Sequence, residues 1–218
     1  MRESTLAWEQ MENTQDTATR RSGLYWGERY IPEHLADSAF VAVRQLGDFE
    51  YDLRYATTNN FMGEAVYPCG DCWLRYEAAQ ALLKAQELIQ EQGYGLLLFD
   101  CYRPVSVQKK MWEVYPDPAY VANPYKGIGS IHNRGGAVDL TVIDSTGNPL
   151  EMGSSYDHFG VEAHQDNFDF PEKVLQNRAL LREAMVAAGF RTIRTEWWHY
   201  SYRNKTKFGV ADIDIECE

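Results

Sequence analysis

Ser130-Ile131-His132-Asn133-Arg134-Gly135-Gly136-Ala137-Val138-Asp139, continuing as Leu140-Thr141-Val142-Ile143, is a polar loop that turns through two glycines into an apolar strand. One residue in that strand is out of place. A carboxylate between Val138 and Leu140 is costly to bury alone, so Asp139 requires a partner or a metal. The glycines permit a sharp turn, which lets His132 fold back beside Asp139. Taken by itself, His132 reads more plainly as a loop histidine held by hydrogen bonds.

A second stretch, Glu196-Trp197-Trp198-His199, adds another imidazole and a carboxylate three positions before it. His132, Asp139 and His199 would leave a fourth coordination position open to water, and Glu196 could take and return that water's proton. This is the minimum set for a zinc hydrolase. The chain has only 5 histidines, so the convergence carries weight. In a regular strand, positions three apart face opposite sides, so the chain must bend near Glu196 for both side chains to meet. The helical His-Glu-x-x-His pattern is absent. The plainer alternative puts Glu196 in solvent and stacks His199 among Trp197, Trp198 and Tyr200. His158 and His164 form a second candidate ligand cluster, ranked lower because their polar loop makes no buried-charge demand. His34 reads as a surface residue.

Composition narrows the function classes. The 218 residues are 44% hydrophobic and can bury a large core as one domain. With 21 basic against 32 acidic residues, the net charge of −11 argues against nucleic-acid or anionic-membrane partners. No apolar run approaches the roughly 20 residues of a membrane span, and no signal peptide is visible at the N-terminus. The expectation is a cytoplasmic protein, with a periplasmic one as the alternative if a leader has been removed. Cys69-Gly70-Asp71-Cys72 has redox-motif spacing but lacks the preceding strand of a thioredoxin-like site. Free buried thiols are the expectation. At most one disulfide, Cys72 with Cys101, is the alternative, and it would point to an oxidising compartment.

Residues 1–25 are polar and aperiodic and read as an extension; 26–218 read as the domain. Alternation over Phe49–Tyr55 predicts a strand. Helical spacing from Leu74 to Gln92, stopped by Gly93, predicts a helix, and Tyr94–Phe99 a buried strand after it. A second helix follows Pro104 towards Tyr115, a loop spans Pro116 to Gly129, and a third helix fits Glu172 to Ala188 after Pro171. Phe190 to Tyr202 reads as a strand with a turn or bulge near Glu196. Strands and helices interleave without regular βαβ alternation, so the fold class is α+β: a mainly antiparallel sheet packed by helices. Arg103, held on a turn between the buried strand and Pro104, can clamp a carboxylate or stabilise an oxyanion. A surface salt bridge is its plainer reading.

These segments resemble the D-alanyl-D-alanine dipeptidases of the VanX type, within the zinc DD-peptidases that share a fold with Hedgehog signalling domains. The resemblance runs from about Tyr51 to Tyr202. It includes Tyr55-Ala56-Thr57, Asp100 with Tyr102-Arg103-Pro104, Ser130 to Thr141, Met152-Gly153-Ser154, Asp157 and Glu196-Trp197-Trp198-His199-Tyr200. It implies one zinc per chain on His132, Asp139 and His199, with Glu196 as general base and acid. Arg103 would stabilise the tetrahedral intermediate, Ser130 hold the substrate carboxylate, and Asp157 and Tyr55 receive its amino group. The implied substrate is the dipeptide D-Ala-D-Ala. A cell-wall carboxypeptidase or endopeptidase, or a zinc module without catalysis, are the rival readings. Cys69, Cys72 and Cys101 depart from the family's pattern and bear on the compartment rather than on the chemistry.

Overall fold

The structure, a computed structural model, describes residues 23–26, 29–32, 39–126, 129–203, 208–215 and 217. Most of the expected N-terminal extension, and His34, lie outside the described residues. In chain order the first elements are β1 (Gly23–Trp26), β2 (Arg29–Pro32), β3 (Phe40–Ala42), β4 (Glu50–Tyr51), β5 (Trp73–Arg75) and α1 (Tyr76–Gln90). They are followed by β6 (Gly95–Asp100), α2 (Val105–Val114), β7 (Ala137–Ile143), α3 (Glu172–Ala187), β8 (Phe190–Thr192) and β9 (His199–Tyr202).

β7 is the middle strand of a five-stranded sheet ordered β4-β6-β7-β9-β8. Every pair in it is antiparallel except β4 with β6, which makes the fold α+β as expected. All of β7 is buried. Alternation sends Val138, Leu140 and Val142 into the apolar core and turns Asp139 to the other face. α1 packs against α3 and β6, and α3 reaches β7 and β8. That layering buries one face of the sheet and leaves the opposite face to be closed by loops.

Two expected elements are redrawn. The first helix begins at Tyr76 rather than Leu74, because Trp73–Arg75 pair with β3 in the register Val41↔Leu74 and the fully buried Leu74 is worth more in that ladder. The expected strand over Phe49–Tyr55 contracts to β4, and a short 3₁₀ turn, Arg54–Ala56, then swings Tyr55 inward to 2% exposure. At the glycine turn, Gly135 has φ of +67°, and a Cβ there would sit 2.3 Å from the Phe40 ring. No other residue type fits that corner.

The cysteine expectation is overturned. All four are paired: Cys72 with Cys101, as the alternative had it, and also Cys69 with Cys217. The second bond ties down a C-terminal strap. Ala211 N–H donates to the Asn133 carbonyl (2.8 Å), Val105 N–H to Asp212 Oδ1 (3.2 Å), and Ile213 N–H to the Tyr102 hydroxyl (2.9 Å). The strap thus braces the two loops that carry Arg103 and His132. Among the described residues no helix is long and apolar enough to cross a membrane.

Candidate active site

Asp139 and His199 are direct register partners on β7 and β9, so the sheet itself brings them together. His199 Nδ1 lies 2.9 Å from Asp139 Oδ1. His132 arrives from the loop before β7, in the 3₁₀ turn His132–Arg134, with Nε2 3.3 Å from Asp139 Oδ1 and 3.1 Å from His199 Nδ1. The tautomers follow from the outer contacts. His132 Nδ1 faces the Cys101 carbonyl at 2.7 Å, which can only accept, so the ring proton sits there and Nε2 turns its lone pair inward. His199 Nε2 can likewise donate to Ser201 Oγ at 2.9 Å. Three electron-rich atoms then lie within 4.8 Å of one another, a set that could hold a cation. Burial opposes a charged His132, but Asp139 and Asp100 outweigh it and hold its pKa above the usual imidazole value.

Glu196 lies in the irregular segment between β8 and β9, and its Oε2 is 3.9 Å from His199 Nδ1. The bend demanded by the three-residue spacing is therefore present. Burial pushes its carboxyl up to about 7, with the charges of Asp139 and Asp157 adding to the effect and His199 opposing it. Asp157 is likewise pushed up to about 7, by burial first and then by Asp139. It is the one non-glycine residue at positive φ (57°) among the described residues, and Tyr55 donates to its Oδ2 at 3.0 Å. Arg103 is buried, donating to Asp100 Oδ2 (2.5 Å) and Gln108 Oε1 (2.8 Å), with its Nε unpartnered. Ser130 Oγ accepts from the His132 backbone N–H at 3.2 Å. The eight residues given a site role from the sequence line one cavity of about 270 Å³, together with Phe61, Tyr120 and Phe159.

A family model described as D-Ala-D-Ala dipeptidase (Peptidase_M15) matches residues 36–214. The chain belongs to the D-Ala-D-Ala dipeptidase family. It is 35% identical over 170 residues to a D-alanyl-D-alanine dipeptidase of Escherichia coli K12, covering 78% of this chain and 87% of that one. The corresponding enzyme of Enterococcus faecium is 35% identical, over 71% of this chain and 86% of its own. That of Streptomyces coelicolor is 34% identical, over 78% and 93%. The chain is a peptidase.

Around the cluster of this D-Ala-D-Ala dipeptidase family member stand residues to which sequence reasoning gave no role. Asp100, fully buried, accepts from Tyr67 (2.6 Å), the Cys101 N–H (2.9 Å) and Arg103, so it anchors the guanidinium. Its adjacency to Tyr102-Arg103-Pro104 was the available signal. Tyr156 donates to Asp139 Oδ2 at 3.1 Å, and nothing local in Ser155-Tyr156-Asp157 announces it. The second histidine cluster does not assemble. His158 pairs with Glu162 at 2.9 Å on the surface, and His164 lies 3.1 Å from Arg194 Nη1.

Proposed function

We propose that this chain hydrolyses free D-Ala-D-Ala to D-alanine, with one zinc ion held by His132, Asp139 and His199. The observation that carries the reading is the convergence of those three donors in a cavity that also holds Glu196 and, facing it, Asp157 with Tyr55. The donor set, two imidazoles and one carboxylate with a side open to the cavity, suits a catalytic zinc site. Bound there, the ion supplies the Lewis acidity that activates water and polarises a peptide carbonyl.

The remaining work falls to the protein. Glu196, with its carboxyl near neutrality, accepts the proton of the attacking water and delivers it to the leaving amine. Arg103 Nε, buried and unpartnered, donates to the developing oxyanion. Asp157 and Tyr55 receive the substrate ammonium, and Ser130 the carboxylate. A cavity of about 270 Å³ lies just below the ~300–1,000 Å³ range of ligand pockets, which suits a dipeptide rather than a cell-wall strand. The two disulfides support the periplasmic alternative over the cytoplasmic one.

The test is a panel of all four Ala-Ala stereoisomers plus N-acetyl-D-Ala-D-Ala, with metal content measured on the same sample. The expected result is one zinc per chain and turnover of D-Ala-D-Ala. The acetylated form should be slower by roughly a hundredfold or more, because it buries Asp157 without its ammonium partner. Equal rates on the two substrates would replace the dipeptidase reading by the carboxypeptidase one.

A further inference from the structure

We propose that the Tyr156 hydroxyl is a positioning group that holds Asp139 as a one-oxygen ligand and so sets how tightly the His132–Asp139–His199 centre retains its metal; this rests on the zinc reading above. The two oxygens of Asp139 live in different surroundings. Oδ1 faces both imidazoles, at 2.9 Å from His199 Nδ1 and 3.3 Å from His132 Nε2. Oδ2 is the oxygen that accepts from Tyr156, at 3.1 Å. A carboxylate whose second oxygen is engaged by a fixed donor cannot rotate about its Cβ–Cγ bond without losing that bond in a buried site.

The donor is itself immobile. Tyr156 is 9% exposed, and its ring is caged by Phe99 (4.8 Å between centroids), Trp198 (5.3 Å) and Tyr55 (6.3 Å), which come from three separate parts of the chain. The next residue, Asp157, takes the left-handed backbone and meets the Tyr55 hydroxyl. Two consecutive residues therefore serve opposite sides of the site: Tyr156 steadies a metal ligand from behind, while Asp157 lines the substrate cavity. Groups that hydrogen-bond a metal's ligands typically govern affinity by ten- to a hundredfold, about the range expected here.

Tyr156→Phe keeps the caged ring and removes only the donor. Metal-free protein titrated with zinc against a competing chelator should show Kd raised about ten- to a hundredfold. The metal-free thermal midpoint should fall by roughly 3–12 °C, as for one buried hydrogen bond lost, and the visible spectrum of the cobalt-substituted variant should shift as the carboxylate swings to two-oxygen ligation. Zinc affinity within twofold of wild type with an identical cobalt spectrum would overturn the proposal, as would a stability loss with unchanged affinity. Should the variant fail to fold, infrared difference spectra of the wild type on zinc addition decide. Widely split carboxylate stretches mark one-oxygen ligation, and narrowly split ones overturn it. Asp139→Ala run alongside separates the two layers. Zinc retained in that variant would remove the zinc centre itself, whereas zinc lost in Asp139→Ala but untouched in Tyr156→Phe removes the Tyr156 role alone.

Discussion

Replacing Asp100 by Asn should be among the most damaging single changes outside the His132–Asp139–His199 cluster, and more damaging than replacing its partner Arg103 by Gln. The asymmetry follows from what each partner keeps. Without a charge at position 100, buried Arg103 retains one side-chain acceptor, Gln108 at 2.8 Å, and its guanidinium is left uncompensated. Breaking a buried pair in this way costs about 3–5 kcal/mol. Without Arg103, Asp100 still accepts from the Tyr67 hydroxyl at 2.6 Å and the Cys101 N–H at 2.9 Å, so its cost falls to about 2–3 kcal/mol. The double variant buries neither charge, and its loss should fall short of the sum by about 2–3 kcal/mol. For a chain of this length each kcal/mol moves the midpoint by about 2–4 °C, so Asp100→Asn should melt roughly 6–20 °C lower. Calorimetry of the disulfide-intact, metal-free proteins gives the midpoints, and urea titration at 25 °C gives the cycle. Asp100→Asn within about 1 kcal/mol of wild type would refute the reasoning, as would strict additivity in the double variant.

Glu196→Ala should retain zinc and fold while losing activity by about 10² or more, and loss of metal in it would make Glu196 a ligand instead of the base. In the metal-free protein, Glu196 and Asp157 keep their protons up to about pH 7, well above their ordinary 4.5 and 3.8. His132 is also held above its ordinary 6.5. The folded state then binds more protons than the unfolded chain, so stability should fall as pH rises from about 4 through 7; a midpoint that climbs over that window would contradict the assignment. Thiol titration of unfolded, unreduced protein should find none of the four cysteines free. Cys69→Ser, which opens a loop of 148 positions, should cost up to about 5 kcal/mol; an unchanged melting profile would count against the second bond.

How much could be read in advance depended on whether the deciding interaction was local. Asp139 was legible because a lone carboxylate in an apolar strand states its need in the sequence. The glycine stop of α1 and the proline starts of α2 and α3 were equally local, and those elements stand close to where spacing put them. Trp73–Arg75 was misread because Leu74 is also in phase with the helix that follows; what claims it is β3, more than thirty positions upstream. Glu196 was legible only conditionally, since its role demanded a bend that the irregular segment between β8 and β9 supplies. Asp100 had a local signal, its place three positions before Arg103, whereas Tyr156 had none, because it acts through Asp139, brought to it by the fold from 17 positions away. The Cys69–Cys217 bond is the extreme case, since no local pattern could pair the two ends of a strap.

That pattern of bonds carries a consequence for how the protein is made. Cys69 and Cys72 leave the ribosome first, followed by Cys101, and Cys217 comes last. An oxidant working in order of emergence would join neighbours, 69 to 72 and 101 to 217, whereas the native bonds are nested, 72 to 101 inside 69 to 217. Reaching them from the consecutive pattern takes thiol–disulfide exchange, and the outer bond cannot close until Cys217 has been synthesised. The Cys101 carbonyl that fixes the His132 tautomer sits within this scheme. A cell that oxidises this chain without reshuffling it would accumulate protein whose His132 loop was never set, so the yield of working enzyme should track isomerase supply rather than expression level.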